Sequence, residues 1–103
     1  MRHRLLLEPE VHADRKRLPG NVRQRLRRAI VNLASEARPP NSRSLDVTDL
    51  NVPPRVELRR IRMRNWRIVY AVNDAEGWVW VLAIRRRPPY DYQDLAVMLE
   101  EIE

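Results

Sequence analysis

Trp66-Arg-Ile-Val-Tyr-Ala-Val-Asn73 runs into Asp74-Ala-Glu-Gly77 and then into Trp78-Val-Trp-Val-Leu-Ala-Ile84, and the reading of this stretch decides the fold. Two runs rich in Val, Ile, Tyr and Trp, separated by four residues that end in Gly, predict a β-hairpin. The second run is apolar at every position, which predicts a central strand covered on both faces. Arg85-Arg-Arg-Pro-Pro89 ends it, because proline lacks the N–H that a ladder needs. Upstream, Leu58 to Met63 puts Ile61 and Met63 on one face and Arg60 and Arg62, continued by Arg64, on the other. Val56 and Leu58 have the opposite parity, which predicts a bulge near Arg59. These three strands form an antiparallel meander.

Working outward, Arg4-Leu-Leu-Leu-Glu8 is a short apolar run closed by Pro9 and reads as an N-terminal strand. Pro9 suits the first turn of a helix, with Glu10 at its positive end and Pro19-Gly20 closing it. Asn21-Val-Arg-Gln24 has the form of a capping box. Val22, Leu26, Ala29, Ile30 and Leu33 follow at helical spacing, so the two helices make a hairpin with one apolar seam. Arg23, Arg27 and Arg28 point away from that seam and read as a solvated face. Residues 37–54 are dense in Pro, Asn, Ser and Asp and predict a long loop, pinned to the body by Leu45, Val47 and Leu50. Asp91 to Ile102 carries Leu95, Met98, Leu99 and Ile102 at helical spacing, which predicts an acidic C-terminal helix over 91–103. The fold class is α+β: an N-terminal strand, a helical hairpin, the meander in a small twisted sheet, and a last helix.

The chain has 103 residues, no Cys, two Gly and 20 Lys+Arg against 14 Asp+Glu. That length predicts a single domain, 1–103, with one core. The absence of Cys excludes disulfides and thiolate metal sites, and two isolated histidines, His3 and His12, are too few to hold a metal. No glycine-rich phosphate loop is present, so the expectation is no cofactor and no metal. No apolar run reaches the ~20 residues of a membrane span, and the N-terminal Leu run is too short for a signal peptide, which predicts a cytoplasmic protein without membrane contact. The net charge of +6 is localised. Between Arg55 and Arg87 lie nine Arg and three acids, and the remainder of the chain balances. Such asymmetry implies a polyanionic partner, nucleic acid or an acidic protein segment.

If the three meander strands are neighbours, Arg60, Arg62, Arg64, Arg67 and Arg85 to Arg87 converge on one face or rim, with Tyr90 and Tyr92 just beyond. Guanidinium forks bind phosphate oxygens bidentately, and an aromatic face supports an unstacked base. The same convergence permits charge stabilisation at a reacting phosphate. Arginine is a poor base, because its pKa lies above about 12. Trp66, Trp78 and Trp80 read as core or rim aromatics.

The strand running into Glu8-Pro9, Leu18-Pro-Gly-Asn-Val22, Trp66-Arg-Ile-Val-Tyr70 and Arg85-Arg-Arg-Pro-Pro-Tyr90 together resemble the RelE/ParE toxins of bacterial type II toxin–antitoxin systems, over roughly residues 3–92. The resemblance implies a compact toxin neutralised by a cognate antitoxin, with operator DNA approached only through the antitoxin complex. Its RelE branch implies ribosome-dependent mRNA endoribonuclease activity that inhibits translation, with ribosome and mRNA as partners. Its ParE branch implies inhibition of DNA gyrase without enzymatic activity. Carried over by motif, the basic residues before the hairpin fall on Arg60 and Arg62, the strand arginine on Arg67, the late arginine on Arg86 or its neighbours, and the late tyrosine on Tyr90, or on Tyr92 with a gap placed differently. Arg60, Arg62, Arg67, Arg86 and Tyr90 are the expected catalytic residues, and Arg59, Arg64, Arg85, Arg87 and Tyr92 are expected to bind RNA. The chain departs from the family's RNA cleavers in holding Arg where those often have Lys, Glu or His as candidate bases.

Overall fold

The computed structural model describes residues 2–46, 52–63 and 65–86, with Arg86 described by its backbone alone. The elements are β1 (Arg4–Leu7), α1 (Pro9–Lys16), α2 (Gly20–Asn32), β2 (Ser42–Ser44), β3 (Glu57–Met63), β4 (Trp66–Asn73) and β5 (Trp78–Arg86). The expected acidic helix over 91–103 lies outside the described residues. Pro9 occupies the first turn of α1, with Glu10 at that end and Arg15 and Lys16 at the other, the favourable polarity for the helix dipole. The capping box expected at Asn21 is not used. Pro19 is the N-cap of α2, without a side-chain cap bond, and Gly20 and Asn21 are already helical. The extended backbone that proline prefers sets the helix start two residues before the side-chain cap at Asn21 could act.

The strands form one five-stranded sheet in the order β1-β5-β4-β3-β2, with β1 parallel to β5 and all other pairs antiparallel. Three expectations need correction. β4, not β5, is the middle strand, although β5 is interior and covered on both faces. The loop expected over 37–54 contains β2, which pairs Ser42, Arg43 and Ser44 with Ile61, Arg60 and Arg59. β3 has no bulge, since Glu57 to Met63 pair residue for residue with Val72 to Trp66.

The parity change in β3 arises because both sheet faces are apolar. One core lies between helices and sheet: Val11, Leu18, Leu26, Ile30 and Leu33 against Ile61, Ile68, Tyr70, Val72, Val79, Val81 and Ile84. A second core occupies the opposite face: Val56, Leu58, Val69, Ala71, Trp78, Leu82 and Ala83, with Leu6, Leu45, Val52 and Trp80 packed on it. Leu45 therefore pins the connecting segment as expected, and Val47 and Leu50 lie outside the described residues. The real irregularity is in the β4–β5 pair, where Val69 opposes Ala83 but Tyr70 opposes Val81. Leu82 is the extra residue, and Leu82 and Ala83 both pack into the second core. The hairpin turn needs Gly77, at φ 71°, and closes with Gly77 N–H donating to Asn73 O at 2.8 Å.

Candidate functional site

The registers assemble the site. In an antiparallel pair, residues directly opposite share a face. Arg62 opposes Arg67 across β3 and β4, and Arg67 opposes Arg85 across β4 and β5. The three form one row across three adjacent strands, about 5 Å apart from strand to strand. One step inward, Arg43 of β2 opposes Arg60 of β3, and Arg60 opposes Val69. Val69 packs in the second core, which places both rows on the face away from the helices.

Exposure varies along the row. Arg62 is exposed, Arg85 is half-buried, and Arg67 is 1% exposed, the largest fully buried side chain described. Arg67 Nη1 donates to Trp66 O at 3.4 Å. The row brings three side chains of like charge opposite one another on adjacent strands.

The other candidate residues are placed as follows. Arg59 points to the helix side and is tied down: its Nη2 and Nε donate to Ser42 Oγ at 2.8 and 3.2 Å, and its Nη1 to Glu57 Oε2 at 3.0 Å. Arg86 ends β5 in register with Trp66, so Arg85 and not Arg86 is the residue opposite Arg67. Arg64, Arg87, Tyr90 and Tyr92 lie outside the described residues. Arg43 was missed in the sequence because β2 sits in a segment that reads as loop. Its alternation, Ser-Arg-Ser between residues 42 and 44, was the available signal. Trp78 is buried and Trp66 and Trp80 are half-buried, with Trp78 and Trp80 meeting edge to face at 6.0 Å.

At the opposite end of the sheet, arginine is used differently. Arg38 Nε donates to Glu57 Oε1 at 2.9 Å, Arg38 Nη2 to Asp74 Oδ2 at 2.8 Å, and His3 Nε2 lies 2.9 Å from Asp74 Oδ1. Ser44 Oγ donates to Glu57 as well. The Arg38 bond, with His3 beside it, holds the Asp74 carboxyl below the usual carboxylate range. Glu57 is also lowered: burial acts upward, and the bonds from Ser44, Arg38 and Arg59 outweigh it. This clasp joins the start of β1, the segment after α2, β2, β3 and the hairpin turn. Beneath it, Tyr70 Oη donates to Ala37 O at 2.8 Å, and burial pushes its phenol up.

Among the described residues no group of three His, Cys, Asp or Glu is placed to hold a metal ion. No helix among them is long and apolar enough to cross a membrane.

Comparison with solved structures finds the same fold in toxins. The chain is similar to RelE in the archaeal RelE–RelB complex of Pyrococcus horikoshii OT3, with a TM-score of 0.74, 20% identity, and 87% of this chain and 100% of that one covered. It is similar to the isolated E. coli RelE toxin at a TM-score of 0.60 and 20% identity, over 98% and 99% of the two chains. It also matches the toxin–antitoxin complex RelBE2 of Mycobacterium tuberculosis at 0.66 and 15% identity, over 84% and 100%. A search among curated proteins gives no match. The family model described as the ParE toxin of the type II toxin–antitoxin system parDE matches residues 5–88. With that match spanning most of its length, the chain belongs to the RelE/ParE family of type II toxin–antitoxin toxins.

Proposed function

We propose that this toxin is a ribosome-dependent mRNA endoribonuclease of the RelE kind, held in check by a cognate antitoxin. The row Arg62–Arg67–Arg85, flanked by Arg60 and Arg43, carries the reading. Five guanidinium groups on one face fit the backbone of a single strand of RNA, and a row of three fits the pentacovalent phosphate that forms when RNA is cut by its own 2′-hydroxyl. In that step the 2′-oxygen bonds to phosphorus, the P–O5′ bond breaks, the 2′-hydroxyl loses its proton and the leaving O5′ gains one. Arg60, Arg62 and Arg64 hold the backbone, Arg67 with Arg85 or Arg86 stabilises the developing charge, and Tyr90 or Tyr92 orients the nucleotide. A contact between Arg67 and the phosphate requires displacement of the groups that bury it. The row supplies cations only, so the base that takes the 2′-proton lies outside it. RelB antitoxins in the P. horikoshii and M. tuberculosis complexes support a cognate antitoxin as the resident partner.

Cleavage of mRNA on translating ribosomes tests this. Wild type should cut, and Arg67→Ala should cut about 10²-fold or more slowly, the loss expected for one oxyanion-stabilising group. Equal cutting by both refutes the site, and no cutting by wild type refutes the activity. The second reading, a gyrase inhibitor, is favoured by the ParE family match and by the lack of a base in the row. It predicts loss of DNA supercoiling with translation intact.

A further inference from the structure

The sheet face that carries the Arg62 row carries a second polar row at its other end. Arg4 of β1 opposes Trp78 of β5, and Trp78 opposes Asn73 of β4. Trp78 packs in the second core, so all three residues lie on the face away from the helices. This row sits six residues along β4 from Arg67, about 20 Å away. A pocket of about 530 Å³ opens over it, and Arg4, Arg55, Val56, Asn73, Glu76 and Trp78 line it.

Asn73 is held so that it offers this pocket a donor. The residue is 7% exposed, and its Oδ1 accepts the Glu76 N–H at 2.9 Å. That bond fixes the orientation of the amide, because only its oxygen can accept from an N–H. The NH2 group has no hydrogen-bond partner among the described residues, yet it keeps contact with solvent, which the pocket supplies. Arg4 and Arg55 are exposed and form no ion pair or side-chain hydrogen bond among the described residues. On the helix side of this same end the arrangement is reversed, since Arg38 and Arg59 are tied to Glu57, Asp74 and Ser42. Glu76 is the one acid in the lining, so two arginines and one carboxylate leave the pocket with a formal charge of +1.

We propose that this pocket binds a phosphate group. Arg4 and Arg55 each present a guanidinium fork to its oxygens, and the Asn73 NH2 group donates a further bond from the sheet. Donors on three separate residues suit the oxygens of a tetrahedral phosphate better than the two of a planar carboxylate, which would leave donors unmet. Arg4 comes from β1, Arg55 from the segment before β3 and Asn73 from the end of β4, so only the folded chain assembles the site. Two sources carry the same chemistry: free phosphate or a mononucleotide, and the backbone of an RNA strand continuing along the sheet from the Arg62 row. The inference does not depend on RNA cleavage, because a chain that cuts nothing keeps the pocket.

The test is a titration with inorganic phosphate, followed by ¹⁵N–¹H correlation of the Asn73 side-chain amide and the Trp78 indole. Both signals should shift saturably, and the Arg38 Nε–H signal should stay in place. The exposed pair Arg4→Gln with Arg55→Gln should weaken binding about tenfold or more. Asn73→Asp keeps an oxygen for the Glu76 N–H but replaces the donor with a negative charge, and should weaken binding by about as much. Glu76→Gln, at an exposed position, should tighten it several-fold. Absence of saturable shifts, unchanged affinity in the folded double variant, or no gain from Glu76→Gln overturns the proposal. Acetate binding as tightly as phosphate overturns it in favour of a carboxylate. Uridine 5′-monophosphate and oligouridine then separate the sources, and either result upholds the site. Equal affinity for phosphate, mononucleotide and oligonucleotide assigns the free ligand, whereas a much tighter oligonucleotide that also shifts Arg62 and Arg85 assigns the strand.

Discussion

The two ends of the sheet use the same residue type for opposite purposes. At the hairpin-turn end, Arg38 stands between Asp74 and Glu57, and Arg59 between Glu57 and Ser42, so each cation is neutralised inside the fold. About 20 Å along β4, Arg62, Arg67 and Arg85 stand opposite one another. The surroundings separate the two sets: Glu57 lies two residues along Arg59's own strand and Arg38 sits in the segment after α2, whereas Arg62, Arg67 and Arg85 face one another across strands. Arginine beside carboxylate ties the fold together at one end, and at the other the proposed role of the arginine row is to seat an anion from outside.

Substitutions at the two ends should therefore fall into two classes. The largest effect is expected in the row: Arg62→Ala and Arg85→Ala should each slow ribosome-dependent cleavage about 10²–10³-fold, while Arg38→Ala leaves it within about threefold of wild type, there being no anion-facing role to lose. Comparable losses at both ends would dissolve the distinction. Next comes the support under the clasp. Tyr70→Phe removes the donor to a buried carbonyl and should cost about 1–3 kcal/mol in denaturant unfolding, whereas a cost near zero would mean that Ala37 O finds another donor.

Much of the fold was legible in the sequence, for identifiable reasons. Turn chemistry around Asp74 to Gly77 and the helical spacing from Val22 to Leu33 are local signals, and β4, β5 and α2 appear where these put them. β2 escaped because three residues bonded to β3 leave almost no periodic trace. The bulge was sought near Arg59 because opposite parities usually mean a slip. Here they mean two apolar faces, and the actual slip is hidden in β5, where uniform apolarity gives no parity to read. That slip also decides the site. Without it the register from the turn would set Ile84 against Arg67; the extra residue sets Arg85 there instead, and no reading of the run Arg85 to Arg87 reveals which residue faces which. The clasp was equally invisible, because His3, Arg38, Glu57 and Asp74 are brought together only by the tertiary fold.

Smaller effects sharpen the comparison from the clasp side. Arg38→Ala should cost about 1 kcal/mol or less at neutral pH, since its ion pairs are largely exposed. The pH dependence follows from the lowered carboxyls. A carboxyl whose folded value lies below its unfolded one, about 4, stabilises the fold above that range and ceases to do so as pH falls through the lowered value. The wild-type chain should thus lose Tm between pH 5 and pH 2.5, and the Arg38→Ala chain should lose less over the same interval, having less of this contribution to lose. An equal or steeper fall in the variant would show that Arg38 does not lower Asp74 and Glu57.

The distinction between the two ends is tested most directly by watching the guanidinium groups themselves. ¹⁵N–¹H correlation of the arginine Nε–H signals can be followed while a short RNA with a 2′-deoxy block at its scissile position is added. The account predicts that the signals of Arg62 and Arg85 shift on titration while those of Arg38 and Arg59 stay in place. Shifts at Arg38 and Arg59, with Arg62 and Arg85 unmoved, would contradict it.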